Sequence, residues 1–449
     1  MDFQVLRGDH VGYFFAGRCY PFLTAPRCSR RQCGAISLFE IVNSPIMHLG
    51  DQGTFPPESE LGEPVSENFF REAIEEFQPD VVHIQELAGL PFTLIDIVRG
   101  EYSLPVVMTL HNYFPLCPTL NLFTPDESFC KTDEVKPNCS ACLNKQVDTE
   151  QLIARTLDFE RRLWLRRAWS LWRRIARLFK NSVDSRATYN TISSVFSQRL
   201  ISNIERLRSV DLLIAQSHRT REIYAERTGR SDIVILHSSL AHISTLHPRV
   251  IDTPREPIRF ATLNGCASIF KGAKVLLEAL KILHKNGFGD RFVMEIWGGI
   301  HSSVYSELIS MPMVTYKGFY QRNHLDKILE SPHVGIVPSI CEEVYGYVGT
   351  EFLAKGIPVI GSRRGGITDY TFPQKSGWLN VSCSPEELAH IMESIILTPS
   401  CIPPLNRWIV ENRSSLITEL TLHANELSCL YDQHILKRRM SERKADDVS

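Results

Sequence analysis

The stretch PSICEEVYGYVGTEFLAKGIPVIGSRRGG, residues 338–366, decides the fold of this chain. Its pattern predicts a strand that ends near Ser339, then a loop, then a helix from near Val348 to Lys355, and then a second strand. Loop amides that point at a helix N-terminus make an anion site, and a diphosphate is a natural ligand for such a site. The stretch therefore predicts one β-α-β unit of a parallel sheet, with a phosphate-binding loop.

Two carboxylates flank this predicted anion site. Glu343 lies in the loop, and Glu351 follows eight residues later, about a turn into the helix. A carboxylate accepts hydrogen bonds from paired sugar hydroxyls, so two carboxylates beside an anion site suit a nucleotide sugar. The spacing alone leaves a plainer alternative open, in which Glu343 caps the helix and Glu351 is a surface residue.

The alternation of short apolar runs and helical patterns extends in both directions from this stretch. The runs predicted as strands are 79–85, 104–111, 210–217, 232–239, 258–265, 291–299, 333–339 and 357–362. A helix is predicted over 271–287, and the proline-containing segment 241–257 is predicted to be a linker. Such alternation predicts an α/β fold of two doubly wound halves, whose ligands bind beyond the carboxyl ends of the strands.

Length and charge limit the classes of protein that this chain can belong to. With 449 residues, 43 % hydrophobic composition and a net charge of -2, the chain can bury a large interior and divide into two domains. The first residues do not resemble a secretory signal, and no run of about 18 apolar residues occurs, so we expect a soluble, cytoplasmic protein. Its twelve cysteines are then expected to be thiols or metal ligands.

Several motifs in this order resemble the retaining glycosyltransferases of family 4, which have the GT-B fold. E-V-Y-G-Y-V-G-T-E (343–351), followed by F-L-A-K-G-I-P-V-I-G-S, resembles the E-x7-E region of that family. F-K-G-A-K-V-L-L-E-A-L (270–280) resembles its K-G segment and leucine-rich helix. PDVVHIQELAGLP (79–91) and LPVVMTLHNYFPLCP (104–118) resemble its N-terminal strands. The resemblance covers most of the chain.

The resemblance implies a two-domain GT-B fold, with Rossmann-like domains that face a central cleft. The implied domains are an N-terminal acceptor-side domain over 1–240, a nucleotide-sugar domain over 258–402, and helices over 403–436 that cross back to the first domain. The charged tail 437–449 is expected to be disordered. The implied activity is transfer of a sugar, with retention of configuration, from a nucleotide-diphosphate sugar to a polysaccharide or lipid-linked glycan.

The resemblance also implies roles for individual residues. Glu351 would hold the nucleotide ribose, Glu343 would contact the donor sugar, and Lys271 would neutralise the diphosphate. The loop amides that would cradle the same phosphates are those of Tyr345, Gly346, Tyr347 and Val348. His111 would lie near the donor sugar and the acceptor, although a histidine at a strand end is often only a structural hydrogen-bonding residue. No D-x-D pair fits this pattern, so no catalytic metal is expected.

Two departures from the family pattern leave a second function open. Cys266 stands where the family usually carries an arginine five residues before the K-G lysine. The second positive charge for the diphosphate is then missing, unless Arg363 or Arg364 supplies it. V-L-R-G-D-H-V-G-Y-F-F (5–15) resembles the second strand of the family, so the first strand and its glycine-rich loop are expected to be missing. The alternative is a catalytically degenerate nucleotide-sugar-binding or scaffold protein. A sugar epimerase or a phosphorylase is the rival enzyme, but no pyridoxal-phosphate motif is visible.

Four cysteines form a second pattern, just after His111. Cys117, Cys130, Cys139 and Cys142 are spaced C-x12-C-x8-C-x2-C in a loop rich in proline and polar residues. Four cysteines ending in C-x2-C can hold a structural zinc, and an Fe–S cluster uses the same ligands. Four unrelated thiols are the alternative. The loop 117–142 is expected to shape the acceptor side of the cleft.

A basic amphipathic helix is predicted over RRLWLRRAWSLWRRIARLFK, residues 161–180. Leucine, tryptophan and phenylalanine fall on one face, and arginines fall on the other. Such a helix lies in the interface of an anionic membrane, which predicts a peripheral protein on the inner face of the cytoplasmic membrane. The resemblance implies a role there in polysaccharide biosynthesis. The alternative is that the apolar face packs on the N-terminal domain. Nucleic acid is not expected as a partner, because the chain as a whole is not basic.

Overall fold

The computed structural model of the chain describes residues 10–17, 25–48, 53–55, 57–124, 126–130, 139–143 and 186–436. The predicted basic helix 161–180 and the predicted tail 437–449 lie outside the described residues. The chain divides into two compact units. The first unit comprises residues 1–125, 130–213 and 227–229, and the second comprises 126–129, 214–226 and 230–449. The predicted domain limits at 240 and 257 stay predictions.

The elements up to residue 235 belong to three sheets and the helices around them. The strands are β1 Val11–Ala16, β2 Arg27–Cys33, β3 Ile36–Val42, β4 Met47–His48, β5 Thr54–Phe55, β6 Val82–Ile84, β7 Val106–Leu110, β8 Leu212–Ala215 and β9 Val234–Ile235. The helices are α1 Pro64–Phe77, α2 Leu94–Gly100, α3 Cys139–Leu143, α4 Arg186–Ser209 and α5 His218–Thr228. The predicted strands at 79–85, 104–111, 210–217 and 232–239 are confirmed as β6, β7, β8 and β9.

These strands form both parallel and antiparallel pairs. β1 is parallel to β3, and β2 returns antiparallel on β3 through a tight turn at Gly34, whose φ of +62° suits glycine. β4 and β5 form a short antiparallel pair. The remaining sheet has the order β6-β7-β8-β9, with β6 parallel to β7 and β8 parallel to β9. The boundary between the two units passes through β8.

The rest of the second unit is a six-stranded sheet with helices. Its strands are β10 Ile258–Leu263, β11 Phe292–Trp297, β12 Val314–Gly318, β13 Val334–Val337, β14 Val359–Ser362 and β15 Gly377–Asn380. Its helices are α6 Ala273–Lys285, α7 Ser302–Ser310, α8 Leu325–Ile328, α9 Tyr347–Ala354, α10 Pro385–Leu397, α11 Ile402–Glu411, α12 Arg413–Leu416 and α13 Leu420–Tyr431. All neighbouring strands pair in parallel.

The order of this sheet is β12-β11-β10-β13-β14-β15, which is the 3-2-1-4-5-6 order of a Rossmann sheet. Its central strands are largely buried because helices cover both faces: β13 and β14 are buried throughout, and β10 is buried except at Arg259. The strands predicted at 258–265, 291–299, 333–339 and 357–362 and the helix predicted over 271–287 are confirmed. β12 lies at an edge and alternates half-buried with exposed residues, so a search for continuous apolar runs misses it.

No single helix in the described part of the chain is long and apolar enough to cross a membrane, although the pair Pro385–Leu397 and Pro399–Glu411, bent by 95°, passes that test together.

Candidate functional site

The candidate site lies where the strand order of the second unit reverses. β10 and β13 are neighbours in the sheet, but each continues to a helix on its own side of the order. In a doubly wound sheet this switch point leaves a crevice beyond the carboxyl ends of the two strands. The loop after β10 carries Lys271, and the loop after β13 carries Glu343. The fold therefore brings these two sequence-predicted residues, 72 positions apart, to one place.

Lys271 and Glu343 form an ion pair. The Lys271 Nζ atom lies 2.6 Å from Glu343 Oε1, and the Ser339 hydroxyl donates to the same oxygen at 2.6 Å. The Glu343 side chain is 12 % exposed and that of Lys271 is 37 % exposed. Burial alone would raise the pKa of Glu343, but the Lys271 ammonium outweighs it and the pKa is lowered. Burial alone would lower the pKa of Lys271, but Glu343 holds it above its usual value, so both groups are charged at neutral pH.

Glycine after the lysine is required by a close approach between the two loops. Gly272 has a φ of +90°, and a Cβ atom there would lie 2.0 Å from the Pro338 carbonyl oxygen. Any other residue would push the lysine loop away from the end of β13 and break the pair with Glu343. The K-G dipeptide therefore serves the geometry of the site.

The loop after β13 leads directly into helix α9. Gly346 precedes the helix with a φ of +76°, and in the described part of the chain no side chain caps this end. The first amides of a helix have no partner inside it, so the amides of Tyr347 and Val348 are available to an anion. The Tyr370 hydroxyl holds the Gly346 carbonyl at 2.7 Å. Glu343 does not cap the helix, because its carboxylate is paired with Lys271.

The glycine pair that follows β14 packs against the same loop. The Gly366 amide donates to the Glu343 carbonyl and the Gly365 amide donates to Glu342 Oε2, each at 2.7 Å. A Cβ atom on Gly366 would lie 2.6 Å from the Tyr345 Cα atom. The glycines thus fix the backbone that presents Glu343 and the start of α9.

Glu351 is inside the fold. It is 6 % exposed, and its Oε1 atom lies 2.6 Å from His242 Nε2. Burial and the nearby Glu351 carboxylate raise the pKa of the Tyr320 phenol. The alternative that Glu351 is a surface residue is therefore wrong. His242 and Tyr320 were not predicted, because nothing in the sequence links them to a residue that lies far away along the chain.

Phe319, the residue before Tyr320, has an exposed side chain. It is 83 % exposed and directly follows β12, at the carboxyl edge of the sheet. The Tyr320 ring packs edge-on against Trp297, which ends β11. The end of the sheet beside Glu351 therefore presents an aromatic surface.

A further group near the loop was also missed by sequence reasoning. Among the described residues, three possible metal-ligand atoms lie within 4.8 Å of one another at His218, His237 and Asp369. The two imidazoles lie 3.0 and 3.1 Å from the same Asp369 oxygen, and the His218 amide donates to it at 2.9 Å. Burial alone would raise the pKa of Asp369, but the hydrogen bonds from His218 and His237 have the larger effect, so the pKa is lowered. The His237 ring also stacks on Tyr345, with centroids 5.4 Å apart, so His218, His237 and Asp369 support the loop that is predicted to bind phosphate.

Cys266, where the resemblance implies an arginine, lies in the core. Cys266 is fully buried, and burial raises the pKa of its thiol to about 12. Arg363 is exposed, and Arg364 donates to the Arg363 carbonyl at 3.2 Å. Arg219, at the start of α5, has its Nε atom 3.6 Å from Glu342, one residue from Glu343. Arg219 is therefore a cation beside the loop that the sequence pattern did not indicate.

The remaining predicted residues lie in the first unit. His111 follows β7, and its Nε2 atom lies 2.6 Å from Gln85 Oε1. It lines a small pocket that Glu86 and Asn112 also border, and those two side chains hydrogen-bond to each other. The four cysteines of the predicted metal site also lie in this unit.

The C-terminal part of the sequence matches a known family model. Residues 265–414 match the family model described as glycosyl transferases group 1. This range, about a third of the chain, includes Lys271, Glu343 and Glu351, so these residues lie in the part of the chain that is similar to glycosyltransferases. No curated protein matches the sequence of the chain significantly.

Solved structures extend the likeness over nearly the whole chain. Sucrose-phosphate synthase from Thermosynechococcus elongatus superposes with a TM-score of 0.64 at 16 % identity, covering 96 % of this chain and 90 % of that one. The fold is of the GT-B type. A UDP-forming trehalose-phosphate synthase from Burkholderia xenovorans has a TM-score of 0.56 at 10 % identity, covering 95 % of both chains. Anabaena HepE in complex with UDP and glucose has a TM-score of 0.54 at 12 % identity, covering 88 % of this chain and 86 % of that one. At these identities the likeness shows the GT-B fold alone.

Proposed function

We propose that the chain is a retaining glycosyltransferase that moves a sugar from a nucleotide-diphosphate sugar to a polysaccharide or lipid-linked glycan. The observation that carries the proposal is the Lys271–Glu343 pair, held at the switch point of a Rossmann sheet beside the uncapped start of α9. This pair lies within the range that matches the glycosyltransferase family model.

The parts of the donor fit the second unit in order. The base would lie on Phe319, and the ribose hydroxyls would donate to Glu351, which the Tyr320 phenol adjoins. The diphosphate would lie at the amides of Tyr347 and Val348, within reach of Lys271. The sugar would then meet Glu343, whose carboxylate can accept from its hydroxyls.

The chemistry follows from where charge develops. As the bond between the sugar and the diphosphate breaks, negative charge grows on the leaving phosphate oxygen. Lys271 and the amides at the start of α9 would stabilise that charge, because they are already fixed in place. With these fixed groups the proposal needs no catalytic metal. We propose that His111 lies on the acceptor side.

The solved relatives guide the choice of donor. The HepE structures contain UDP, UDP with glucose, or UDP-glucose, and the trehalose-phosphate synthase is described as UDP-forming. A uridine diphosphate sugar is therefore the first donor to test. GDP and its sugars serve as the comparison.

Cys266 favours a second candidate, a nucleotide-sugar-binding protein without turnover. An arginine at that position would supply a second cation to the diphosphate, whereas the Cys266 thiol is neutral and fully buried. Lys271 is also partly neutralised by Glu343. Arg219 lies near the same loop, but Glu342 and Glu222 pair with it, so in an active enzyme the amides at the start of α9 would supply much of the phosphate binding.

Calorimetric titration with UDP, GDP and their sugars, followed by assays for transfer and hydrolysis, separates these candidates. The proposal predicts binding of a nucleotide and release of sugar from the corresponding donor. Glu351→Ala should weaken binding and Glu343→Ala should reduce turnover, while Glu411→Ala, at an exposed position on α11, should change neither. Binding without turnover would favour the second candidate, and absence of nucleotide binding would refute the proposed site.

We also propose that segment 161–180 attaches the protein to the inner face of the cytoplasmic membrane, on the strength of its sequence alone. Each basic residue near an anionic surface contributes about 1 kcal/mol. Flotation with phosphatidylglycerol-containing and purely zwitterionic vesicles tests this. We expect binding to the anionic vesicles only, lost in a variant with Glu at Arg166, Arg173 and Arg177, and binding that persists in the variant would refute the proposal.

A further inference from the structure

Four cysteines in the first unit come together from three separate segments. Cys117 lies in the turn after β7, Cys130 lies further along outside any strand or helix, and Cys139 and Cys142 lie on helix α3. None of the eleven cysteines in the described part of the chain is in a disulfide. The candidate phosphate site in the second unit uses none of these four.

The turn that carries Cys117 is rigidly built. The Cys117 amide donates to the Tyr113 carbonyl at 2.7 Å, and the Leu120 amide donates to the Cys117 carbonyl at 3.0 Å. Cys130 returns to the same place, because its amide donates to the Leu122 carbonyl at 2.7 Å. The backbone thus places two cysteines that have twelve residues between them at the base of one loop.

Helix α4 holds both sides of this loop. Arg199 is fully buried, donates to the Phe114 and Pro115 carbonyls just before Cys117, and pairs with Glu60. Asn203 donates to the Pro115 carbonyl at 3.1 Å. Helix α3, with its two cysteines, packs against the same helix.

Helix α3 lies beside the Cys117 turn. A Cβ atom on Gly53 would lie 2.8 Å from Leu143 Cδ2, at the end of α3, and 3.8 Å from the Pro118 carbonyl oxygen, next to Cys117. The Cys117 side chain is only 9 % exposed, and Cys139 and Cys142 are half-buried. Four cysteines within residues 117–142, two of them one helical turn apart, have the ligand set of a tetrathiolate metal centre.

We propose that Cys117, Cys130, Cys139 and Cys142 bind a metal through four thiolates, as a zinc ion or an iron–sulfur cluster. Each thiol gives up one proton to solvent when its sulfur binds the metal. With Zn²⁺ the four thiolates leave a net charge of -2. The metal would tie helix α3 to the turn that follows His111, so that metal binding and the folding of this part of the chain are coupled.

Binding has to draw the sulfurs together. Tetrahedral zinc with bonds of about 2.3 Å places its sulfur ligands about 3.8 Å apart. In the described part of the chain, the cysteines do not form a group of three ligand atoms within 4.8 Å, as the His218 group does. A metal should therefore tighten the loop, and this tightening gives a measurable consequence besides metal content.

The first test is metal analysis of the full-length chain, purified without chelator, together with its absorption spectrum. We expect about one zinc per chain and no visible absorption, or iron with sulfide and a brown colour, and the two results distinguish the ion from the cluster. Refolding with Co²⁺ should give the intense near-ultraviolet band of cobalt bound to thiolates. A chain that carries no metal and gives no such band would overturn the proposal.

Variants locate the metal. Cys139→Ser with Cys142→Ser should lose it, whereas Cys429→Ser, at an exposed cysteine, should keep it. His218→Ala with His237→Ala should also keep it, which excludes the other candidate metal group. Metal retained at full stoichiometry by the double cysteine variant would overturn the proposal.

A measurement on the natural chain covers the case in which the cysteine variants do not fold. Alkylation followed by peptide mass spectrometry reports each thiol separately. We expect the four thiols to react slowly until a chelator is added and then to react at least about tenfold faster, while Cys429 reacts at one rate throughout. Equal reactivity of the four thiols with and without chelator would refute the proposal.

Discussion

Replacing Lys271 by Met tests whether the Lys271–Glu343 pair organises the phosphate loop. The change keeps the length of the side chain but leaves the Glu343 carboxylate, only 12 % exposed, with the Ser339 hydroxyl as its strongest partner. Breaking a buried ion pair costs about 3–5 kcal/mol. Because the lysine side chain is itself 37 % exposed, solvent screens the pair, and we expect a loss of only about 1–2 kcal/mol.

Hydrogen exchange of the amides in 338–346 measures this loss locally, without assuming that the two units unfold together. At neutral pH we expect these amides to exchange about 5–30 times faster in Lys271→Met than in the natural chain. Adding Glu343→Gln should restore most of the protection, because the unpaired charge is then gone. Additive losses in the double variant would mean that the two residues do not stabilise each other, and would refute the reasoning.

The pH dependence of the pair has a definite sign. The pKa of Glu343 is lowered in the folded protein, so its contribution is present above the unfolded value of about 4.3 and is lost as the pH falls through the folded value. The pKa of Lys271 is raised, so its contribution is present below about 10.4 and is lost as the pH rises through the folded value. The difference between Lys271→Met and the natural chain should therefore be largest where Glu343 is charged in both proteins. It should shrink as the pH falls, because burial raises the pKa of Glu343 once Lys271 is gone and the variant then takes up a proton first.

Three further outcomes test the site. Glu351→Gln should weaken the binding of UDP about 10- to 100-fold in calorimetry, because the variant loses charge-assisted hydrogen bonds to the ribose. Binding of inorganic pyrophosphate, which has no ribose, should be unchanged. Equal weakening of both ligands would mean that Glu351 does not bind the ribose. Phe319→Ala should weaken UDP roughly 5- to 150-fold while Phe319→Tyr does not, if the base stacks there; unchanged binding would exclude stacking. Gly272→Ala should lower the free energy of unfolding of the second unit by about 2–4 kcal/mol in urea, because its Cβ meets the Pro338 carbonyl; unaltered stability would contradict the close approach.

The site residues that the sequence predicted are those that lie on one βα unit or one motif. Glu343, the start of α9 and Glu351 belong to a single run, whose strand, loop and helix signals are local. Lys271 was predicted through the K-G motif, and the glycine carries a real steric requirement at Pro338. Local patterns suffice wherever the backbone of one segment determines where its side chains lie.

Partners from distant segments could not be predicted in the same way. His242 reaches Glu351 across 109 residues from a segment that was predicted to be a linker, and its short 3-10 turn has no periodicity. Asp369, His218 and His237 come from three separate segments of the chain, and none of these segments carries a recognisable motif. Such contacts depend on the order of strands in the sheet, which the sequence indicates only as a class of fold.

The balance of charge at the loop decides how a donor can bind. Lys271 is matched by Glu343, and Arg219 is matched by Glu342 and Glu222, so the described side chains there leave little net positive charge for a diphosphate. Two consequences are possible in physical terms: the amides of α9 carry most of the phosphate binding, or the sugar hydroxyls take over Glu343 and release Lys271 to the phosphate. The second route makes free UDP a weaker ligand than UDP-sugar, because only the sugar can occupy Glu343. A higher affinity for UDP-sugar than for UDP, lost in Glu343→Gln, would therefore identify Glu343 as the residue that couples recognition of the sugar to stabilisation of the leaving diphosphate.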